Sequence, residues 1–393
     1  MGEDVLLKGF VMKDFVIGVP RERKEKEGRV GVTPSGVRAL REVGEHVRVM
    51  VELGAGRLSG FSDRDYLDAG AAVIPTAAEL YETADIIVKV KEPIAEEYPL
   101  LESLKGKMLF TYLHLAGVDV ELTRILLRNE ITAIAYENVE EVAGGKRTFP
   151  LLVPMSRIAG TQGMRLAKAY CAAFSDPSVV IIGGGNVGEA ALKEAIASGI
   201  TTITVFDLCK ERVLELRKQY GTPGIRFFST RSLYQPVGKN ALKKAAAVIS
   251  GVMNPGGSEA PKVLTAKEIA LMREGALVVD VAIDQGGSTE YSRPTHPGEV
   301  FKVAGVFFSC VANIPGSTVP AEATMALTQV TLPYVKLVAE YGTTFTNFPA
   351  HWLLIDKPGF RQGLQTWKGN LVNEAVSSKH QLFSSYKPLD YFF

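Results

Sequence analysis

Residues 179–188 read VVIIGGGNVG, and the fold is decided there. Gly183, Gly185 and Gly188 fit G-x-G-x-x-G directly after an apolar strand, Val179–Ile182, and directly before a helix expected over Val187–Ala197. The first glycine permits the tight turn, the second lets backbone approach a pyrophosphate, and the third permits close packing of helix on sheet. Asn186 and Val187 complete the turn, at a helix N-terminus that faces negative charge. Asp207 lies 19 residues beyond Gly188, at the end of the next strand, TTITVFD. A carboxylate there accepts hydrogen bonds from an adenosine ribose and repels a 2′-phosphate, so the pattern implies NAD rather than NADP. Lys210 and Arg212 follow, either as solvated helix charges or as contacts on the adenosine side.

Outward from this turn, strands alternate with helices in both directions, the signature of parallel α/β sheets. Upstream, strands are expected at Phe15–Val19, Val47–Val51, Ala72–Ile74, Ile86–Val90, Lys107–Tyr112 and Thr132–Tyr136. Thr33 and Pro34 form a helix start, and Val120–Asn129 reads as another helix. The pattern restarts after Pro154 with a long helix from about Ser156 to Phe174. Beyond the turn, strands are expected at Thr202–Phe206, Ala246–Ile249, Ala276–Val281 and Val306–Cys310, with helices at Lys210–Tyr220 and Thr265–Met272. A long helix, Ala321–Glu340, precedes an aromatic-rich tail that either packs on the first domain or covers an interface. No internal repeat or low-complexity linker separates the halves, so two domains joined by helices are expected.

Composition bounds the rest. At roughly 100–200 residues per domain, 393 residues suit two domains or three. Forty-four Lys+Arg against 43 Asp+Glu leave a net charge of +1, which argues against a polybasic nucleic-acid binder. Cys171, Cys209 and Cys310 are far apart and form no CxxC pair, so neither a disulfide framework nor a metal site is expected, and a reducing, cytoplasmic setting is the default. No apolar run reaches the ~18 residues that a membrane helix needs. The N-terminus does not read as a signal peptide, and residues 1–11 are expected to be an upstream start or a loose extension, since Met12 precedes the strand KDFVIGVP.

Other chemistry-bearing residues gather near expected strand ends, the border of the ligand crevice in open α/β sheets. In the first half these are Arg29 in GRVGVTP, Lys89 and Lys91 in KVKEP, and His114 in TYLHLAG. Arginine grips a carboxylate with paired hydrogen bonds, lysine polarises a carbonyl, and histidine exchanges protons near neutrality. Lys89 and Lys91 share parity and would face one side of a strand, where one is a candidate for a merely solvated charge. In the second half, Asp280 and Asp284 flank an apolar strand in VVDVAIDQGG. Asp284 is placed to orient or deprotonate a water, or else to cap a turn. Asn313 in VANIPGS suits a nicotinamide amide, and Ser156 in PMSR is expected at a helix N-terminus, as a phosphate contact or a simple cap.

Taken together these stretches resemble the alanine dehydrogenase family, shared with the nucleotide-binding subunit of proton-translocating transhydrogenase. IGVPRERKEKEGRVGVTP, ELGAGRLSGFSD, IVKVKEP, LFTYLHLA, TAIAYE, PLLVPMS, IIGGGNVG, VVDVAIDQGG and CVANIPG recur in family order over about residues 14–335. The resemblance implies two Rossmann-like α/β domains with parallel sheets, separated by a cleft and joined by long helices. Residues 1–150 and 319–393 would form the substrate domain and 151–318 the NAD domain, with the helix near Ala321–Glu340 crossing between them. It implies that Arg29 and Lys91 bind substrate and that His114 and Asp284 are catalytic. Ser156, Asp207, Arg212 and Asn313, with the glycine turn, would hold NAD. The implied reaction is reversible oxidative deamination of L-alanine to pyruvate and ammonia, in a homo-oligomer with no metal and no membrane or nucleic-acid partner.

The chain departs from the family pattern in places. Arg157 stands where the family usually has Glu, the family's glycine-rich GVPGV insertion is absent, the VANIPGSTVPAEAT loop is longer by one residue and lacks its Arg, and NPGGSEAPK looks expanded. Two rivals share the frame. One is an opine-type synthase that reductively joins an amino acid to a keto acid; the other is a non-catalytic NAD(H)-binding subunit.

Overall fold

Five apolar residues, Phe15–Val19, form β1 and are buried throughout, as a central strand of a parallel sheet requires. Thr33 then caps the helix Pro34–Arg41: its hydroxyl accepts from the Gly36 N–H at 3.1 Å, and Pro34 occupies the first turn, where a missing N–H costs nothing. Further strands follow, β2 (Val47–Glu52), β3 (Ala72–Ile74), β4 (Ile86–Val88), β5 (Met108–Thr111) and β6 (Thr132–Ala135), all paired in parallel. A hairpin of β7 (Glu141–Ala143) and β8 (Lys146–Thr148) ends this part. Against one sheet face, Leu80 and Tyr81 of one helix and Leu122, Ile125 and Leu126 of another pack on Ile87, Leu109 and Ala133. The strand β4 stops two residues short of the expected Val90. The Val90 and Lys91 N–H groups donate to the Glu22 carboxylate, at 2.6 and 3.2 Å, instead of to a neighbouring strand.

This computed structural model describes residues 14–252, 259–345 and 358–392. The expected extension at residues 1–11 and the NPGGS part of the NPGGSEAPK stretch lie outside them. The chain divides into two units: one runs to Leu151 and resumes at Pro320, and the other is Leu152–Val319.

The second unit opens with the helix Val153–Cys171, three residues earlier than expected, because Pro154 fits the first helical turn rather than preceding it. Then come β9 (Ser178–Ile182), β10 (Thr202–Asp207), β11 (Ile225–Ser229), β12 (Ala245–Ser250), β13 (Leu277–Asp280), β14 (Phe301–Val303) and β15 (Val306–Ser309). Their order is β11-β10-β9-β12-β13-β15-β14, parallel except for β14. Alternate side chains of β9 serve two cores, Val179 and Ile181 on one face and Val180 and Ile182 on the other, so both faces are covered. The order turns back at β9, which places the switch point at its carboxyl end.

The chain re-enters the first unit at Pro320, with the helix Pro320–Phe345, β16 (Leu364–Trp367) and β17 (Asn370–Leu371). β16 pairs antiparallel with β6, giving the order β17-β16-β6-β5-β4-β1-β2-β3. The tail thus extends the first unit's sheet. Both sheets are the expected parallel ones, with antiparallel pairings added at one edge of each. The chain changes units at Leu151–Leu152 and at Val319–Pro320, so the long helix expected to cross between domains begins at a junction and lies in one unit.

Candidate active site

Three of the sequence-derived residues come together at the strand ends of the first unit. Arg29 lies in the segment after β1, and that segment runs over the end of β4: a Cβ on Gly31 would stand 2.5 Å from the Val88 carbonyl oxygen, so only glycine allows the approach. Lys91 follows β4 and His114 follows β5. The Arg29 guanidinium is buried and clamped by Glu27, which accepts from Nε at 2.8 Å, from Nη2 at 2.5 Å and from the Arg29 N–H at 2.9 Å. Burial alone would raise the Glu27 carboxyl, but Arg29, by charge and hydrogen bonds, holds it at about 2. The charge of Lys91 adds to this pull.

The two lysines of KVKEP have different surroundings. Lys89 is fully buried, with its Nζ 3.2 Å from Glu22, 3.3 Å from Glu97 and 2.8 Å from the Lys91 carbonyl oxygen. Burial would depress its ammonium, but the two carboxylates hold it above its ordinary value, so Lys89 is a buried structural cation rather than a solvated one. Lys91 is 6% exposed, and its ammonium has no hydrogen-bond or ion-pair partner among the described residues. It lies near enough to Glu92 that, with Lys24 and His114, it keeps that carboxyl low against the effect of burial. Glu27 and Glu92 therefore tie Arg29, Lys91 and His114 into one electrostatic neighbourhood.

His114 has φ 46° and ψ 35°, a left-handed conformation costly for a residue with a Cβ. Glu137 compensates by accepting from the His114 N–H at 2.6 Å and from the Leu113 N–H at 3.2 Å. The His114 ring stacks on Tyr112, 5.8 Å between centroids and 1° between planes, with its Nδ1 3.7 Å from Glu137. The side chain is 40% exposed, so its ring has access to a reacting group.

In the second unit the glycine turn follows β9 directly. Gly183 has φ 91°, and a Cβ on Gly188 would stand 1.8 Å from the Gly183 carbonyl oxygen. A Cβ on Gly185 would meet nothing within 4 Å. Gly183 and Gly188 are thus required by the protein's own backbone, whereas the space over Gly185 suits a ligand that approaches the main chain. Gly185 caps the helix Asn186–Ala197, whose first turn carries Asn186, Val187 and Gly188. Asp207 ends β10 and accepts from the Gly184 N–H at 2.6 Å and the Cys209 N–H at 2.7 Å. Arg212 donates through Nε to the Gly184 carbonyl oxygen at 2.8 Å. These residues fit a dinucleotide: open backbone at a helix N-terminus for the pyrophosphate and a fixed carboxylate at the neighbouring strand end for the ribose.

The remaining candidates of this unit are placed differently from one another. Asn313 has φ 60°, a region asparagine tolerates, and precedes the helix Ile314–Thr318. Asp284 sits exposed in the 3₁₀ turn Val281–Gln285, before Gly286 and Gly287, with no side-chain partner among the described residues. The loop that carries it is held by buried Asp280, which accepts from the Ala282 N–H at 3.1 Å, the Ser288 N–H at 2.7 Å and the Ser288 hydroxyl at 2.9 Å. Ser156 does not cap a helix: its N–H bonds to the Leu152 carbonyl oxygen at 3.0 Å, inside the first turn. Arg157 is exposed beside Thr161 and Asn186, at a recess of about 290 Å³.

Sequence reasoning missed the carboxylates that organise these groups. Glu22 and Glu27 sit in the run RERKEKEGR and look solvated, and Glu137 ends the stretch TAIAYE. For Glu22 and Glu137 the available signal was position, since they lie three and two residues beyond the ends of β1 and β6; Glu27, eight residues beyond β1, carried no such signal.

A glycine turn at the switch point of a doubly wound sheet, with a second α/β domain, defines a dinucleotide-binding protein. Family models narrow this. Alanine dehydrogenase/PNT, N-terminal domain, matches residues 18–159, and alanine dehydrogenase/PNT, C-terminal domain, matches residues 156–374. The chain belongs to the alanine dehydrogenase/PNT family. An alanine dehydrogenase from Methanococcus maripaludis is 38% identical over 94% of this chain and 97% of its own. One from Bacillus subtilis is 38% identical over 92% and 94%. A solved L-alanine dehydrogenase superposes with a TM-score of 0.81 at 37% identity, covering 93% of this chain and 99% of that one. A transhydrogenase structure from Sinorhizobium meliloti, at 23% identity and a TM-score of 0.73, shares the fold. This is a family of nicotinamide dinucleotide-dependent dehydrogenases acting on small molecules. Among the described residues no helix is long and apolar enough to cross a membrane.

Proposed function

We propose that this protein catalyses the reversible oxidative deamination of L-alanine to pyruvate and ammonia with NAD. The observation that carries the reading is Lys91, a buried ammonium without a partner among the described residues, which acts by charge on Glu27, the clamp of Arg29, and together with His114 on Glu92, in a chain akin to alanine dehydrogenases over most of its length. Arg29 and Lys91 bind the substrate carboxylate, with Glu27 fixing the guanidinium plane and Lys91 near the reacting oxygen of pyruvate. His114 and Asp284 move protons as water adds to iminopyruvate and ammonia leaves. Bound NAD supplies the hydride acceptor. Gly183, Gly185, Asn186, Val187 and Gly188 cradle its pyrophosphate. Asp207 takes the ribose, Arg212 borders the adenosine side, and Ser156 and Asn313 complete the contacts. The same reading makes the protein a cytoplasmic homo-oligomer.

The test is NADH formation, followed by absorbance, with a panel of amino acids and either NAD or NADP. Turnover with L-alanine and NAD is expected. NAD binding without alanine turnover would remove the substrate assignment.

A further inference from the structure

Gly184 is gripped from both sides, by Asp207 on its N–H and by Arg212 on its carbonyl. Arg212 is engaged beyond that. Its Nη2 lies 2.5 Å from Glu189 and its Nη1 3.4 Å from Glu215. Glu189 is itself anchored, by Lys193 at 2.9 Å and by the Tyr220 hydroxyl at 2.8 Å. The cluster is partly buried, with 26% of the Arg212 side chain and 20% of Glu189 exposed. An arginine near the end of the second strand is the group that accommodates a 2′-phosphate in NADP-binding relatives of this fold. Here that arginine has a donor on each of its three nitrogens directed at protein.

We propose that Glu189 is a specificity-determining residue: by holding Arg212 against the glycine turn, it denies a 2′-phosphorylated dinucleotide the cation it needs. Exclusion of NADP then has two separable parts. Asp207 contributes repulsion, and Glu189 withholds an attraction that the chain already carries in Arg212. Discrimination built from both elements is harder to lose than either alone. The Glu189 carboxyl, raised by burial but lowered further by Lys193, Arg212 and Tyr220, stays at about 2, so the grip persists across the neutral range. The inference rests on the reading of Asp207 as the ribose carboxylate.

The test is calorimetric binding of 2′,5′-ADP and of 5′-ADP to the full-length protein and its variants. Asp207→Asn removes the repulsion and is expected to admit 2′,5′-ADP weakly. Adding Glu189→Gln frees Arg212 for a charge-assisted bond and is expected to tighten 2′,5′-ADP by about tenfold or more, with 5′-ADP changed by less than about threefold. Replacing Arg212 by Ala in that double variant is expected to abolish the gain. Equal 2′,5′-ADP affinity in the single and double variants overturns the proposal. So does a parallel loss of 5′-ADP binding, which would make Glu189 a brace for the turn alone. Failure of the underlying reading looks different: Asp207→Asn by itself would leave both ligands bound as in the unsubstituted protein.

Discussion

After β1 and β4 of the first unit the groups that gather are buried charges; at the glycine turn after β9 in the second they are bare backbone. Lys89 is matched by Glu22 and Glu97, and Arg29 by Glu27, because an unpaired charge out of water is costly. Gly183 and Gly188 have main-chain atoms where a side chain would stand. In each unit one residue assigned to a ligand is the exception to its local rule. Lys91 is the buried cation without a partner among the described residues, and Gly185 is the glycine of its motif with nothing against it. A ligand site is recognised by what the protein leaves unfinished.

The sharpest way to break that contrast is to treat the two lysines alike. Lys89→Met strands two buried carboxylates and is expected to cost about 3–5 kcal/mol in denaturant unfolding. Lys91→Met is expected to cost less than about 1 kcal/mol, while raising KM for pyruvate at least tenfold with NADH affinity unchanged, the loss of one charge-assisted bond. Similar destabilisation by both substitutions would erase the distinction. Next, His114→Asn keeps a residue suited to the left-handed backbone but removes the proton-exchanging ring. Steady-state kinetics should show kcat lower by about 10²–10⁴-fold with an unchanged circular dichroism spectrum. A variant within threefold of the original would take His114 out of the chemistry.

Acid sharpens the comparison from the side of charge. The Glu27 carboxyl is lowered from 4.5 to about 2, so its stabilising effect is fully present above pH 4.5 and is lost as pH falls through about 2. By linkage this is worth about 3 kcal/mol. The stability gap between the protein and its Glu27→Gln variant, measured by urea unfolding, should therefore shrink from pH 5 towards pH 2; a constant gap would contradict the assignment. The smallest effects belong to the glycines. Gly188→Ala should cost about 1–3 kcal/mol through its clash with Gly183. Gly185→Ala should leave thermal stability within about 1 kcal/mol yet weaken NADH binding measured by fluorescence. Equal thermal shifts in the two variants would mean that Gly185 serves the fold.

What was legible in the sequence follows the range of the interactions. The glycine turn, its strand, its helix and Asp207 fall within about thirty residues, and each local rule points the same way. Thr33 was legible as a cap for the same reason. The roles of Lys89 and Lys91 were not, because parity treats them as equals and Glu22 stands 67 residues before Lys89. The glutamates of RERKEKEGR looked solvated for want of visible partners. The start at Val153 was hidden by Pro154, which marks either the residue before a helix or its first turn. β16 could not be anticipated as the partner of β6, since nothing local specifies a pairing over more than two hundred residues.

That pairing has a consequence for how the chain is made. The second unit is interposed between β6 and the strand that covers it, so every residue of Leu152–Val319 leaves the ribosome before Leu364 does. During synthesis β6 is an open edge of a parallel sheet, able to pair with another nascent chain, while the nucleotide-type unit already has all its strands. The interposed unit is free to complete itself first, and the enclosing one must wait for its last thirty or so residues. Truncation near the C-terminus therefore removes no residue assigned to chemistry, yet it leaves the older half of the protein permanently unfinished.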